Sequence, residues 1–355
     1  MWICSMPLDE PVWWYGPPGD PRARWLRPIA AIWGAVADRR MAYAPRHHAH
    51  VPVICIGNFT AGGTGKTPLS LAIAERLITR GLAPAFLTRG YGGRRKRPSW
   101  VEPLIDRAGD VGDEPMLLAR VAPVLIAADR AAGARLIEQY KPPIDVIVMD
   151  DGLQNPALVK DLRIAVVDGR RGVGNGQVMP AGPLRANLDA QLARADAIVV
   201  NQPLAAGEPG TGEPLLAWLP ARFPGPVLTA RAGPAGDSGW LAGRRWLAFA
   251  GIANPGRFWE LLARLGADVA ETRAFPDHHP FAEADALELL RRADDQGMDL
   301  ITTEKDHVRL IGGPGALGAL AERSRTLPIR LQFDMRDDLR LDALIDGVVR
   351  LRTTT

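Results

Sequence analysis

Short apolar runs alternate with longer amphipathic stretches from residue 51 onward. Val51-Pro-Val-Ile-Cys-Ile56 reads as a buried strand, and Pro68-Leu-Ser-Leu-Ala-Ile-Ala-Glu-Arg-Leu77 as the helix that follows it. Ala83-Pro-Ala-Phe-Leu-Thr88, Val124-Leu-Ile-Ala127, Ile144-Asp-Val-Ile-Val-Met149, Arg163-Ile-Ala-Val-Val167 and Ala197-Ile-Val-Val200 are further strand-like runs, with a helical pattern at 130–140. Uninterrupted apolar strands between helices predict a parallel α/β sheet covered on both faces. Residues 202–238, dense in Pro, Gly and Ala, read as a linker or irregular connection. A second α/β pattern starts at Arg245-Trp-Leu-Ala-Phe-Ala-Gly-Ile252 and runs through a helix at 255–265 and strands at 299–303 and 329–333. Three regions are expected: an N-terminal segment at 1–50, a first α/β domain at 51–235 and a smaller one at 236–355.

The N-terminal pattern is different. Five of the ten tryptophans (Trp2, Trp13, Trp14, Trp25 and Trp33) precede residue 34, among Arg22, Arg24, Arg27, Arg39, Arg40 and Arg46. The apolar stretch at 26–37 is shorter than the roughly 20 residues of a membrane span, and it lacks the order of a signal peptide. An amphipathic helix lying in the headgroup layer suits tryptophan and arginine around a short apolar core. The alternative is a helix capping the soluble core.

Composition is ordinary for a globular protein, at 47% apolar and 23% charged residues over 355 positions. Cys4 and Cys55 make neither a disulfide framework nor a metal-ligand spacing. The net charge of +3 suits an acidic partner. The basic residues are not gathered on one recognition helix, which argues against nucleic acid.

The strand at 51–56 and the helix at 68–77 flank Thr60-Ala-Gly-Gly-Thr-Gly-Lys-Thr67, the strand–glycine turn–helix context of a phosphate loop. Its residues (Thr60, Ala61, Gly62, Gly63, Thr64, Gly65, Lys66 and Thr67) are the expected nucleotide cradle, with Thr60 where the pattern has glycine. Lys66 would reach the β- and γ-phosphates, and Thr67 would ligate Mg²⁺. Ile147-Val-Met-Asp-Asp151 ends a strand in two acids and offers Asp150 and Asp151 to the same metal. Asp113 and Glu114, in Asp110-Val-Gly-Asp-Glu-Pro115, either accept or orient an acceptor proton or cap the next helix. Phe275-Pro-Asp-His-His-Pro280 offers a histidine to pair with an Asp across a cleft, or a plain exposed loop. Arg185, ending Pro180-Ala-Gly-Pro-Leu-Arg185, and Arg130 are candidates for stabilising transferring charge. The basic stretch Arg89-Gly-Tyr-Gly-Gly-Arg-Arg-Lys-Arg97 either grips an anionic substrate or is a solvated charge run.

Together these motifs resemble the tetraacyldisaccharide 4'-kinase family of lipid A biosynthesis over nearly the whole chain. The ordered matches are Gly57-Asn-Phe59 with the phosphate loop, Thr88-Arg-Gly-Tyr-Gly-Gly93, Val111-Gly-Asp-Glu-Pro115, Asp150-Asp-Gly-Leu-Gln154, 180–185, Asp277-His278 and Thr303-Glu-Lys-Asp306. The resemblance implies a phosphate-loop NTPase-type α/β fold and ATP- and Mg²⁺-dependent phosphorylation of the 4'-hydroxyl of a lipid-linked glucosamine disaccharide 1-phosphate. It implies Asp113 as base with His278 as its partner, Lys66, Arg185 and Arg130 at the transferring phosphate, and Asp150, Asp151, Glu114, Gln154 and Thr67 on the metal side. It also implies a monomeric peripheral enzyme on the cytoplasmic face of the inner membrane. The family usually has Glu after the arginine of the 180–185 motif, where Ala186 stands here; activity with an altered Mg²⁺ dependence is expected. The rival readings are a nucleotide-switched ATPase or GTPase, and a membrane-binding module without chemistry.

Overall fold

A computed structural model describes residues 10–16, 19–43, 46–202 and 213–353; Trp2, Cys4 and part of the expected linker lie outside them. After a short 3-10 turn at Val12–Trp14 comes helix α1 (Pro21–Tyr43), then β1 (Val53–Gly57) and α2 (Lys66–Thr79). Next are β2 (Pro84–Thr88), β3 (Ser99–Trp100), α3 (Ala108–Val111), α4 (Asp113–Leu118), β4 (Val124–Ile126) and α5 (Arg130–Glu138). They are followed by β5 (Val146–Asp150), β6 (Leu162–Asp168), α6 (Leu188–Leu192), β7 (Ala197–Gln202), α7 (Glu213–Arg222) and β8 (Val227–Pro234). A second set comprises β9 (Arg245–Ala250), α8 (Pro255–Arg264), β10 (Asp268–Ala274), α9 (Glu283–Gln296) and β11 (Asp299–Thr302). It continues with α10 (Glu304–Leu310), α11 (Ala316–Arg323) and β12 (Ser324–Thr326), and the chain closes with β13 (Ile329–Phe333) and α12 (Met335–Thr353).

The first sheet has the order β13-β8-β7-β6-β1-β5-β2-β4-β3 and is parallel except at its two edges, where β13 and β3 run antiparallel. Every residue of β1, β2 and β5 is buried, as a sheet with helices on both faces requires. On one face α2 inserts Leu69, Ile73 and Leu77, spaced one helical turn apart, into a core with Phe86, Val148 and Ile164. Because the central strands are parallel, the ends of β1, β2, β4, β5, β6 and β7 share one edge, where such sheets bind ligands. The second sheet, β10-β9-β11-β12, is parallel throughout and packs around Trp246 and Phe249.

Two expectations are corrected here. The stretch expected as a linker holds helix α7 and strand β8, whose Leu215, Leu219 and Leu228 are buried. Its glycines and prolines punctuate real elements rather than replace them. The expected boundary of a C-terminal domain at 236–355 also fails at its far end, because β13 pairs with β8, Ile329 opposite Pro234. Helix α12 then buries Leu341, Ile345 and Val348 in the first core, and Arg76 ties it down through Asp338 and Asp342. The apolar pattern at 329–333 announces a strand but not which sheet it joins.

Helix α1 turns small residues inward. Ala23, Ala30 and Gly34 are buried, with Met41 the one large buried residue near its end, whereas Trp25, Ile29, Ile32, Trp33 and Val36 are exposed along the other side, Trp25 to 83%. A helix serving only as a cap on the core would bury the large residues and expose the small ones. No helix among the described residues is long and apolar enough to cross a membrane.

Candidate active site

The phosphate loop spans the gap between β1 and α2 and is fixed from three sides. Gly62 and Gly65 hold φ of +89° and +102°, a region that favours glycine. A Cβ on Gly65 would lie 2.8 Å from Nδ2 of Asn201, and that same nitrogen donates to the Thr64 carbonyl at 3.1 Å. Asn58 Nδ2 donates to the Gly62 carbonyl at 3.2 Å. From the 180–185 segment, Ala61 N–H reaches the Pro183 carbonyl (2.8 Å) and Arg185 Nε the Thr60 carbonyl (3.1 Å). Thr60 itself is buried and bridged to Leu184, which accommodates a side chain where the usual loop has none.

The orphaned polar atoms fit a phosphate together with its cation: a hydroxyl can donate to a phosphate oxygen, whereas an amide oxygen and an ionised carboxylate accept and suit a cation or its waters. Thr64 Oγ1, Asn58 Oδ1 and Asp150 Oδ2 are buried without a hydrogen-bond partner among the described residues, a rare condition for polar atoms. An anion already lies against the loop: the Glu10 carboxylate, paired with Arg171 at 2.5 Å, rests where a Cβ of Gly62 would fall within 1.5 Å of its Oε1.

Asp150 ends β5 and Asp151 follows it, beside this loop, and the two behave oppositely. Asp150 is fully buried and accepts from Ser70 Oγ at 2.7 Å. Burial, then the nearby Glu114 charge, pushes its carboxyl up to about 7. For Asp151 burial also favours the neutral acid, but the charges of Arg185, 2.6 Å away, and of Lys66 outweigh it and hold the group well below the carboxylate range. The Lys66 charge thus acts on both acids. No cluster of three His, Cys, Asp or Glu side chains suited to a metal occurs among the described residues. Mg²⁺ in phosphoryl transfer is bound by one or two carboxylates together with substrate phosphates.

Asp113 opens α4 and meets the second sheet's domain. Its Oδ2 takes hydrogen bonds from Arg309 Nε (3.0 Å) and the adjacent Arg309 amino group, and it lies 3.1 Å from His278 Nδ1 and 3.9 Å from Lys305 Nζ. Oδ1 accepts from the Glu114 N–H at 2.9 Å. Burial alone would raise this carboxyl, yet Lys305, His278 and Arg309 together hold it far below the ordinary value. Among the described residues only Asp151 and His278 are non-glycine residues with positive φ, at 53° and 58°, and both stand at this site.

Other candidates fall as follows. His279 turns away, bonded to Asp285 at 2.8 Å and stacked on Phe275. Arg130 is buried, donates to the Ala127 carbonyl and keeps an unpartnered Nε; burial, the dominant influence, lowers its affinity for its proton. Gln154 spends its Nε2 on the Asn58 carbonyl (2.7 Å) and Gln191 Oε1 (2.8 Å), bracing the loop after β5 against the end of β1. Glu114 is 3.5 Å from Lys305 Nζ, and its charge is felt at Asp150. Thr67 lies in the first turn of α2, half-buried. Of the basic stretch, Arg94 and Arg95 are engaged by Asp110 and Asp106, which leaves Arg89 and Arg97 exposed.

A family model described as tetraacyldisaccharide-1-P 4'-kinase matches residues 22–350. The chain belongs to the tetraacyldisaccharide 4'-kinase family. The tetraacyldisaccharide 4'-kinase of Methylobacterium radiotolerans is 48% identical over 94% of this chain and 97% of its own length. That of Nitrobacter winogradskyi is 44% identical over 97% and 99%. The crystal structure of LpxK from Aquifex aeolicus in complex with ATP superposes with a TM-score of 0.70 at 25% identity, covering 92% of this chain and 99% of that one. Against the tetraacyldisaccharide 4'-kinase pattern described above, Ala186 is fully buried, and its carbonyl accepts from Gln191 Nε2 at 2.8 Å.

Sequence reasoning missed Arg309, Ser70 and Asn201 and gave Lys305 no role. Ser70 and Asn201 carry no motif signal of their own. Arg309 could have been found: it stands four residues after Lys305, so Thr303-Glu-Lys-Asp306 continues on the same helical face.

Proposed function

We propose that this chain transfers the γ-phosphoryl group of ATP to the 4'-hydroxyl of a tetraacyl glucosamine disaccharide 1-phosphate, resting on the cytoplasmic face of the inner membrane. The observation that carries the reading is the convergence of three sets of side chains at one sheet edge. Lys66 and the loop come from β1–α2, the acids from the end of β5, and Asp113 is met from the second domain by His278. Lys66, Thr67 and the loop N–H groups hold the β- and γ-phosphates, while Thr67 and Asp150, with Glu114 near, would hold Mg²⁺, which neutralises phosphate charge. Arg185 and Arg130 would stabilise the charge that the equatorial oxygens gain.

Asp113 is a weak base, because the Lys305 and Arg309 charges and a hydrogen bond from His278 hold its proton affinity down. In a loose phosphoryl-transfer transition state the acceptor needs orientation more than early deprotonation. Its Oδ1, with only one backbone donor, takes the acceptor hydroxyl's hydrogen bond and receives the proton late. This refines the expectation of Asp113 as a general base.

The acceptor is a membrane lipid, and the outward face of α1 suits it: Trp25 and Trp33 with Ile29, Ile32 and Val36 form an apolar stripe flanked by arginines. A cavity of about 650 Å³ beside the end of α1, lined by Arg40, Arg46, His47 and Arg135, favours an anionic headgroup.

Transfer of labelled γ-phosphate from ATP to a detergent-dispersed disaccharide 1-phosphate lipid tests the proposal. Wild type should label the lipid, and Asp113→Ala should lose about 100-fold or more. ATP hydrolysis without labelled lipid would favour a nucleotide switch instead.

A further inference from the structure

The Thr303-Glu-Lys-Asp306 motif has so far no chemistry, and the structure places it under Asp113. Thr303 caps α10: its Oγ1 accepts from the Asp306 N–H (3.0 Å) and donates to Asp306 Oδ2 (2.6 Å). Asp306, fully buried, also accepts from the Gly251 N–H (3.0 Å) and Arg309 (2.6 Å). The Arg309 guanidinium is thereby fixed between Asp306, the Gly251 carbonyl (2.8 Å) and Asp113. Thus the motif anchors the helix turn from which Lys305 projects.

Lys305 Nζ lies 3.3 Å from His278 Nε2 and 3.5 Å from Glu114 Oε1. An ammonium has three donors and no acceptor. The nitrogen facing it must accept, so Nε2 carries no proton. The imidazole proton then sits on Nδ1, 3.1 Å from Asp113 Oδ2. We propose that Lys305 is a positioning residue for the transfer: its ammonium holds His278 as the Nδ1–H tautomer, so that His278 donates to Asp113 and keeps the carboxylate aimed at the acceptor hydroxyl. The groups against His278 are Asp113 from α4, Lys305 from α10, its neighbour Asp277 (3.8 Å from Nε2) and the Tyr91 ring at 5.7 Å, with Glu114 and Arg309 one contact further out, on Lys305 and Asp113. Of these, Asp277 would pull a proton onto Nε2, and Lys305 is the group that opposes it.

The inference rests on the acceptor-site role given to Asp113 above. It is tested on the full chain with ¹⁵N-labelled histidine, comparing wild type, Lys305→Met and Lys305→Arg at one pH. In wild type the Nε2 signal of His278 should be that of an unprotonated acceptor nitrogen. In Lys305→Met it should move toward a protonated one, and Lys305→Arg, also a pure donor, should restore it. Transfer to the lipid should fall by about 10- to 100-fold in kcat for Lys305→Met, with partial recovery in Lys305→Arg. The KM for ATP should move by no more than about threefold, because no ground-state contact with the nucleotide is lost. An unchanged Nε2 signal in Lys305→Met overturns the proposal. So does a rise in the KM for ATP at constant kcat, which makes Lys305 a nucleotide ligand, or an equal loss of melting temperature in both variants, which makes it structural. A Lys305-dependent tautomer in a wild type that labels no lipid upholds the positioning geometry and retires the lipid-kinase reading.

Discussion

Asp150 and Asp113 are both buried carboxylates at one site, and they are opposite in kind. Asp150 has a single hydroxyl donor, one oxygen with no partner among the described residues and a carboxyl raised to about 7. Asp113 has its Oδ2 engaged by an arginine and a histidine, with a lysine nearby, and is ionised far below neutral pH. The nucleotide side is left electrostatically incomplete, which suits a place where phosphates and a divalent cation bring the missing charge. The acceptor side is completed by the protein itself, so its geometry exists before substrate arrives. Charge compensation by the protein itself is thus greatest in the half of the site to which the nucleotide brings no cation.

The largest test of this contrast is Arg309→Met. It removes two donors from Asp113 and one from Asp306, leaving buried charge poorly compensated, at a cost of about 3 kcal/mol. A fall of several degrees in the apparent melting temperature should accompany a loss of about 100-fold in transfer. A wild-type melting curve would mean that Asp113 does not depend on that pairing.

Asp150→Asn should do the reverse to stability while abolishing transfer. The native carboxyl holds its proton up to about pH 7, whereas the unfolded one releases it near 3.8. The native state therefore binds more protons in that window, and stability falls as pH rises through it. Asparagine removes the penalty, so the variant should melt a few degrees higher than wild type at pH 8 and alike near pH 4. Equal melting at pH 8 would contradict the elevated value. The smallest effect is expected from Ala186→Glu, next to Arg185. It should shift the Mg²⁺ concentration for half-maximal transfer by about threefold, measured by titrating the metal, with kcat little changed.

Much of the site was legible because its chemistry is carried by contiguous runs. The glycines of 62–65 and the acids of 150–151 each declare a turn at a strand end, and the sheet's parallel topology then brings them together. Side chains that act across the chain were silent. Ser70 looks like any polar residue on an amphipathic helix, and Arg309 like any surface arginine, until α10 is packed against α4. The same limit explains the fold errors. Apolar alternation at 329–333 marks a strand, but its partner is chosen by the return of the chain, which a local pattern does not encode.

That return has a mechanical meaning. Strands β8 and β13 are paired up to the rung joining Pro234 to Ile329, and one step further the Ala235 N–H still reaches the Pro328 carbonyl at 2.8 Å. The whole body between them is therefore an insertion hung from the end of a single two-stranded ribbon. A lone linker would let it swivel freely, whereas two hydrogen-bonded strands resist torsion and yield mainly to bending. His278, Lys305 and Arg309 all sit on that body, so any bending of the ribbon would carry the three together relative to α4.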